Sequence, residues 1–189
     1  MKSSSELRNT TASYGLVAIL FHWLDVISIV GLFAIGFYMV DLTYYDSLYT
    51  TLPFWHKSVG MMMLFWFVAR VAWRLVNPKP EAAEGVKPIE HRLGHIAHLA
   101  IYLAIAIVLV SGYLIPTAAG APISIFDVVS IPAVVTGIPN QEDIAGMVHR
   151  YVAYGLVALV TIHAAAALKH HFINRDNTLR RMLGLSDKT

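Results

Sequence analysis

The sequence predicts an all-α integral membrane protein, a four-helix bundle with both termini on the cytoplasmic side. Three observations carry this. Hydrophobic residues make up 57% of the 189 positions and charged residues only 14%, too few charges to coat a water-soluble domain. Apolar stretches near twenty residues recur, the length that a hydrocarbon core of ~30 Å demands of a helix. Lysine and arginine gather in alternate connections, which orients each span.

The first span runs from about residue 15 to 40. Its apolar core is too long for a signal peptide and no small-residue cleavage site follows it. The second covers about 54–76 and stops before Asn77-Pro78, the third about 96–115, and the fourth about 144–167. Between the last two spans stand Pro116, Pro122, Pro132 and Pro139, a density that argues for an ordered loop at the membrane surface and against a fifth spanning helix. No repeat, low-complexity tract or long soluble segment interrupts the pattern, so residues 1–189 read as a single membrane domain.

Lys2 and Arg8 precede the first span; Arg74, Lys79, Lys87 and Arg92 flank the central connection; Lys169, Arg175, Arg180, Arg181 and Lys188 follow the fourth. These regions are expected inside the cell. The connections 41–53 and 116–143 contain no lysine or arginine and are expected outside. The placement is a multi-pass protein of the inner, cytoplasmic membrane, in contact with the lipid bilayer. A formal charge of +2 gives no footing for nucleic acid. With no cysteine, the chain has no disulfide, thiolate-held iron–sulfur cluster or Cys-x-x-Cys-His haem attachment.

Four histidines stand within the apolar spans: His22, His56, His149 and His163. Imidazoles are costly in hydrocarbon and mark an ion path, a relay or a cofactor. His149 and His163 are fourteen residues apart on one helix, which puts both on one face, separated by ~21 Å along the axis. By depth, His22 pairs with His163 and His56 with His149. Each pair suits a low-spin b haem, which takes two neutral imidazoles on opposite sides of the ring, each oriented by an acceptor at its second nitrogen. Zinc needs three or four converging ligands, and the two levels are too far apart to share one ion. Gly60, Ala153 and Ala167 lie one turn beyond His56, His149 and His163. They allow close approach of a macrocycle, or equally of another helix.

Arg70, Arg74 and Arg150 are candidate partners for haem propionates, since a guanidinium makes a strong charge-assisted contact with a carboxylate. For Arg74, a positive-inside anchor is an equal reading. His91, His95 and His98 occupy one face at the start of the third span, and Lys169, His170 and His171 leave the fourth at the same level. Quinone reduction consumes protons with electrons, and histidine titrates near neutral pH. An interfacial belt of snorkelling side chains is the alternative. Asp25, within the first span, reads either as a proton carrier or as the partner of an arginine.

The chain resembles the bacterial cytochrome b561 family over nearly its whole length. The residues that carry the likeness are Trp55-His56-Lys57, Arg70 to Arg74 before Asn77-Pro78, His95 to Tyr102, and above all HAAAALKHHFINRDNTLRRM from His163 to Met182. The resemblance implies two haem b per chain, with His22 and His163 as axial ligands on the cytoplasmic side and His56 and His149 on the external side. It also points to a quinone, with ubiquinone the expected species and His98 and His170 the nearest matching residues. Depth alone reaches the same histidine pairs.

The expected function is transmembrane electron transfer from an external donor to membrane quinone, in the manner of a quinone-reducing oxidoreductase. Some family members take the electron from superoxide. Against that donor, the external segments contain Asp41, Asp46, Asp127, Glu142 and Asp143, countered only by Lys57 and Arg150, whereas an anion is steered by cations. A small redox protein with a basic face suits this surface better. One alternative is a haem-bearing anchor and relay subunit of a separate dehydrogenase or hydrogenase. Another is a proton or metal transporter with a histidine relay, although the internal symmetry of transporters is not evident here.

Overall fold

The computed structural model describes residues 7–83 and 85–185; Lys2 and Lys188, used above as orientation signals, lie outside them. Among the described residues, four helices are long and apolar enough to cross a membrane. They are α1 (Leu16–Met39), α2 (Thr51–Val76), α3 (Pro88–Thr117) and α4 (Gln141–Lys169). The last passes into a π-turn, His170–Asn174, and a short helix α5 (Thr178–Met182) follows. Large apolar side chains such as Ile27, Val68, Leu103 and Ile162 are exposed along these helices. A surface of that kind is at rest against lipid chains and unstable in water. The fold is therefore that of an all-α membrane protein, as the sequence predicts.

Two helices begin earlier than their apolar cores. α3 starts at Pro88, a residue suited to the first helical position because its missing N–H would have no partner there. The Glu90 carboxylate accepts from the Lys87 backbone N–H at 3.3 Å, the reach-back half of a capping box. These polar turns add His91 and His95 to the helix. α4 starts at Gln141, with Glu142 and Asp143 in its first turn, where negative charge is favoured.

Most of the proline-rich connection is irregular, but it contains a β-hairpin. β1 (Ile123–Ile125) and β2 (Val129–Ile131) pair antiparallel, Ile123 opposite Ile131 and Ile125 opposite Val129. Phe126 and Asp127 at the turn both have positive φ, the twist of a tight hairpin, normally supplied by Asn or Gly. Asp127 accepts from Ser124 Oγ at 3.0 Å. Phe126 is held by its own N–H, which donates to the fully buried Ser58 Oγ at 3.1 Å, and by the rings of Phe54 and Trp55.

The chain's contacts resolve into two compact units, and each long helix contributes to both. Of the described residues, the first unit comprises 7–25, 66–83, 85–101 and 158–185. In it the Trp23 indole N–H donates to the Met182 carbonyl at 2.9 Å and Arg181 donates to the Glu81 carbonyl at 3.0 Å, so the segment around α5 is tied to α1 and to the connection before α3. The second unit comprises residues 26–65 and 102–157 and contains the hairpin. There Met61, Ile123 and Ile125 form a buried apolar cluster, with Tyr113 packed against it.

Candidate functional site

Each unit holds one pair of facing histidines. In the second unit, the rings of His56 (α2) and His149 (α4) stand 6.1 Å apart between centres. His149 is oriented by α3: its Nδ1 donates to the Val108 carbonyl at 2.9 Å and lies 3.4 Å from Ser111 Oγ. Nε2 is left as the free nitrogen. Two glycines make room for the rings. A Cβ at Gly112 would lie 2.9 Å from His149 Cε1, and one at Gly36 3.1 Å from His56 Cε1. Neither glycine stands out in the sequence, because each sits on the helix facing the ligand and not on the ligand's own helix.

Around this pair lies a cavity of about 440 Å³. Its wall includes Leu32, Phe33, Met63, Leu109 and Val157, with Gly60 and Ala153 among the small residues that border it. Lys57 and Arg150 line the same cavity, as do Pro116 from the end of α3 and Ile123 from the hairpin. Apolar walls, two inward imidazoles and two cations at the margin are the donor set that a b haem with two carboxylate arms would use. The spacing agrees: a metal–nitrogen bond of ~2 Å and ~1 Å from nitrogen to ring centre, counted on both sides, separate the centres by ~6 Å.

In the first unit, His22 (α1) and His163 (α4) stand 6.4 Å apart, which meets the same requirement. His98 (α3) is 5.1 Å from His163, too close for an iron between the two rings by that arithmetic. It packs against His163 instead. Arg70 lies close enough to His22, His98 and His163 to act on all three electrostatically, and Arg74 acts on His98. The Arg70 guanidinium pairs with Asp25, whose other oxygen accepts from the Trp66 indole at 2.9 Å. Asp25, left open by the sequence, is thus the partner of an arginine.

His170 opens the π-turn and its Nδ1 stands 2.5 Å from the Asp176 carboxylate, while the Asp176 N–H donates back to the His170 carbonyl at 3.1 Å. Asp176 is almost wholly covered. Burial pushes its carboxyl up, yet the backbone and hydroxyl of Thr178, with His170, more than offset this and hold it below the usual range. Arg175 takes the left-handed conformation that ends the π-turn and lets the chain fold back. Among the described residues, no group of three or more His, Cys, Asp or Glu converges as a metal site.

The model of the prokaryotic cytochrome b561 family matches residues 13–185. The chain is 43% identical over 178 residues to cytochrome b561 homolog 2 of Escherichia coli (strain K12), covering 94% of this chain and 95% of that protein. It is 28% identical over 128 residues to the probable superoxide oxidase CybB of Yersinia pestis, covering 68% of this chain and 72% of that protein. This chain belongs to the prokaryotic cytochrome b561 family and is a multi-pass bacterial membrane protein of electron transfer that binds haem b.

Proposed function

We propose that the protein binds two b haems, one held by His56 and His149 and one by His22 and His163, and transfers electrons between an external donor and membrane quinone. The observation that carries this is the repetition of one geometry: two imidazole pairs, in separate units, at 6.1 and 6.4 Å. Bound haem supplies a one-electron carrier at each pair. His149 is fixed for ligation through Nε2 by the Val108 carbonyl, and such an acceptor also raises the basicity of the ligating nitrogen. Lys57 and Arg150 are placed to neutralise propionates in the second unit, and Arg70 and Arg74 in the first.

The quinone is assigned to the first unit, on the cytoplasmic side of the inner membrane, with both termini inside. His98, in contact with His163, and His170, oriented by Asp176, are the groups that deliver protons to a reduced quinone. Ubiquinone is the expected species. The similarity to a probable superoxide oxidase supports superoxide as donor. Asp41, Asp46, Asp127, Glu142 and Asp143, outnumbering Lys57 and Arg150 in the second unit, favour a cationic redox protein.

The test is haem content and the reduced-minus-oxidised visible spectrum of purified protein, repeated on His56→Ala and His163→Ala. Two b haems per chain, with a spectrally different one lost in each variant, are expected. Haem content indifferent to both changes would sink the assignment.

A further inference from the structure

His91 and His95 are not used by the electron-transfer reading. They lie one turn apart on the polar first turns of α3, both exposed. Their Nε2 atoms are 3.1 Å apart, with ring centres at 4.4 Å and planes at 78°. Two imidazoles that converge through the same nitrogen suit either an N–H···N hydrogen bond between the rings or one shared Lewis acid.

We infer that His91 and His95 form a two-histidine site for a divalent transition metal ion. Nitrogens bonded at ~2.0–2.1 Å to one ion stand ~3.3 Å apart in a tetrahedral shell and ~2.9 Å apart at right angles in a tetragonal one. The observed 3.1 Å lies between these values, so binding needs only small rotations of either ring. The i, i+4 spacing on a helix supplies that bite without any loop rearrangement. Among the described residues, no third His, Cys, Asp or Glu converges on the pair, and the Glu90 carboxylate is paired with Lys169. Water fills the remaining positions, which the exposure of both rings permits. Arg74 and Lys79 act electrostatically on His95 and oppose an incoming cation, so the site is of moderate affinity. Imidazole pairs prefer copper(II), then zinc and nickel, over manganese; calcium and magnesium, which take oxygen ligands, are excluded.

The position gives the site a consequence. His98 follows on the same helical face, one turn beyond His95, and packs against His163. An ion on the pair occupies the polar end of the face that leads to His98, and slows proton delivery there. This second part rests on the quinone reading above; the binding part does not.

The experiment uses haem-loaded protein in detergent, purified without a polyhistidine tag. Calorimetric titration with ZnCl2 should give one ion per chain, and the copper(II) paramagnetic resonance spectrum should show coupling to two nitrogens. His91→Ala and His95→Ala should each weaken binding by about tenfold or more, with the visible haem spectrum unchanged as the check on folding. No binding by the wild type at millimolar zinc, or undiminished binding by the double variant, would overturn the site. In a quinone-reduction assay, zinc should slow the wild type and spare the double variant. Equal slowing of both, or of neither, would remove the effect on proton delivery while leaving the binding result to stand by itself. A wild type that binds zinc but reduces no quinone at all would count against the quinone reading and not against the site.

Discussion

Gly112 on α3 presents its bare Cα to the His149 ring, so close that a Cβ there would lie 2.9 Å from Cε1. Real Cβ contacts do not reach that distance, and the ring has little freedom to yield, because Nδ1 is held by the Val108 carbonyl and lies near Ser111 Oγ. Gly112→Ala should therefore push the imidazole off its axis and release one haem. The expected readout is about half the wild-type haem per chain, with the band that depends on His163 retained. Gly36→Ala, at 3.1 Å from His56, should loosen the same haem with a smaller loss.

His98 stands 5.1 Å from His163, too close for an iron between the two rings. His98→Ala should keep both haems while slowing quinone reduction, by about tenfold or more if it delivers a proton. Stopped-flow reduction of a soluble quinone, read against haem content, separates the two roles. Loss of a haem in this variant would make His98 a ligand and displace His22.

Asp25 is buried and engaged by both Arg70 and Trp66. Removing one member of such a pair strands the other, which costs about 3 kcal/mol or more. Asp25→Asn and Arg70→Gln should each lower the thermal midpoint in detergent, and the double variant should recover part of the loss. A double variant no better than the worse single one would show that the two residues do not act as a pair.

The Asp176 carboxyl titrates below its ordinary value of 3.8 in the folded protein. A group depressed on folding stabilises the fold above its unfolded value, and the benefit is lost as pH falls through the folded one. The contribution of Asp176 to the docking of α5 should thus be constant from neutral pH to about pH 4 and weaken only below it. Fluorescence of Trp23, whose indole donates to the Met182 carbonyl, reports the change when compared with a Trp23→Phe background. At neutral pH, Asp176→Asn should expose the Arg180-Arg181 bond to trypsin. Unchanged cleavage would mean that other contacts hold the segment.

The four spans were legible because hydropathy over twenty residues survives any detail of packing. Their ends were not. Residues 88–95 are polar and precede the apolar core; the spacing of His91, His95 and His98 marks a helical face there, but the start at Pro88, with the Lys87–Glu90 cap, lies outside what hydropathy shows. The hairpin was hidden for a related reason: Phe126 and Asp127 fill a turn that usually announces itself with glycine, and the force that overrides the preference, the buried Ser58 hydroxyl, is 68 residues away in sequence. The histidine pairs were legible from depth alone, since one helix carries two of the four. The glycines opposite the rings were not, because a sequence shows neighbours along a helix and not those across a gap. Asp25 was visible as an anomaly, but choosing between two readings required seeing Arg70 beside it.

That last pair also bears on how the protein enters the membrane. An aspartate midway along a span opposes its insertion by about 2.5–3.5 kcal/mol when it is alone, and an arginine six residues from a span's end, as Arg70 is, opposes it by less. Asp25 belongs to α1 and Arg70 to α2, the next span along the chain. The two spans are suited to partition as a pre-joined hairpin, each cancelling the other's reluctance, before α3 and α4 exist. The same contact that lies beside His22 in the finished protein thereby lowers the cost of inserting both spans.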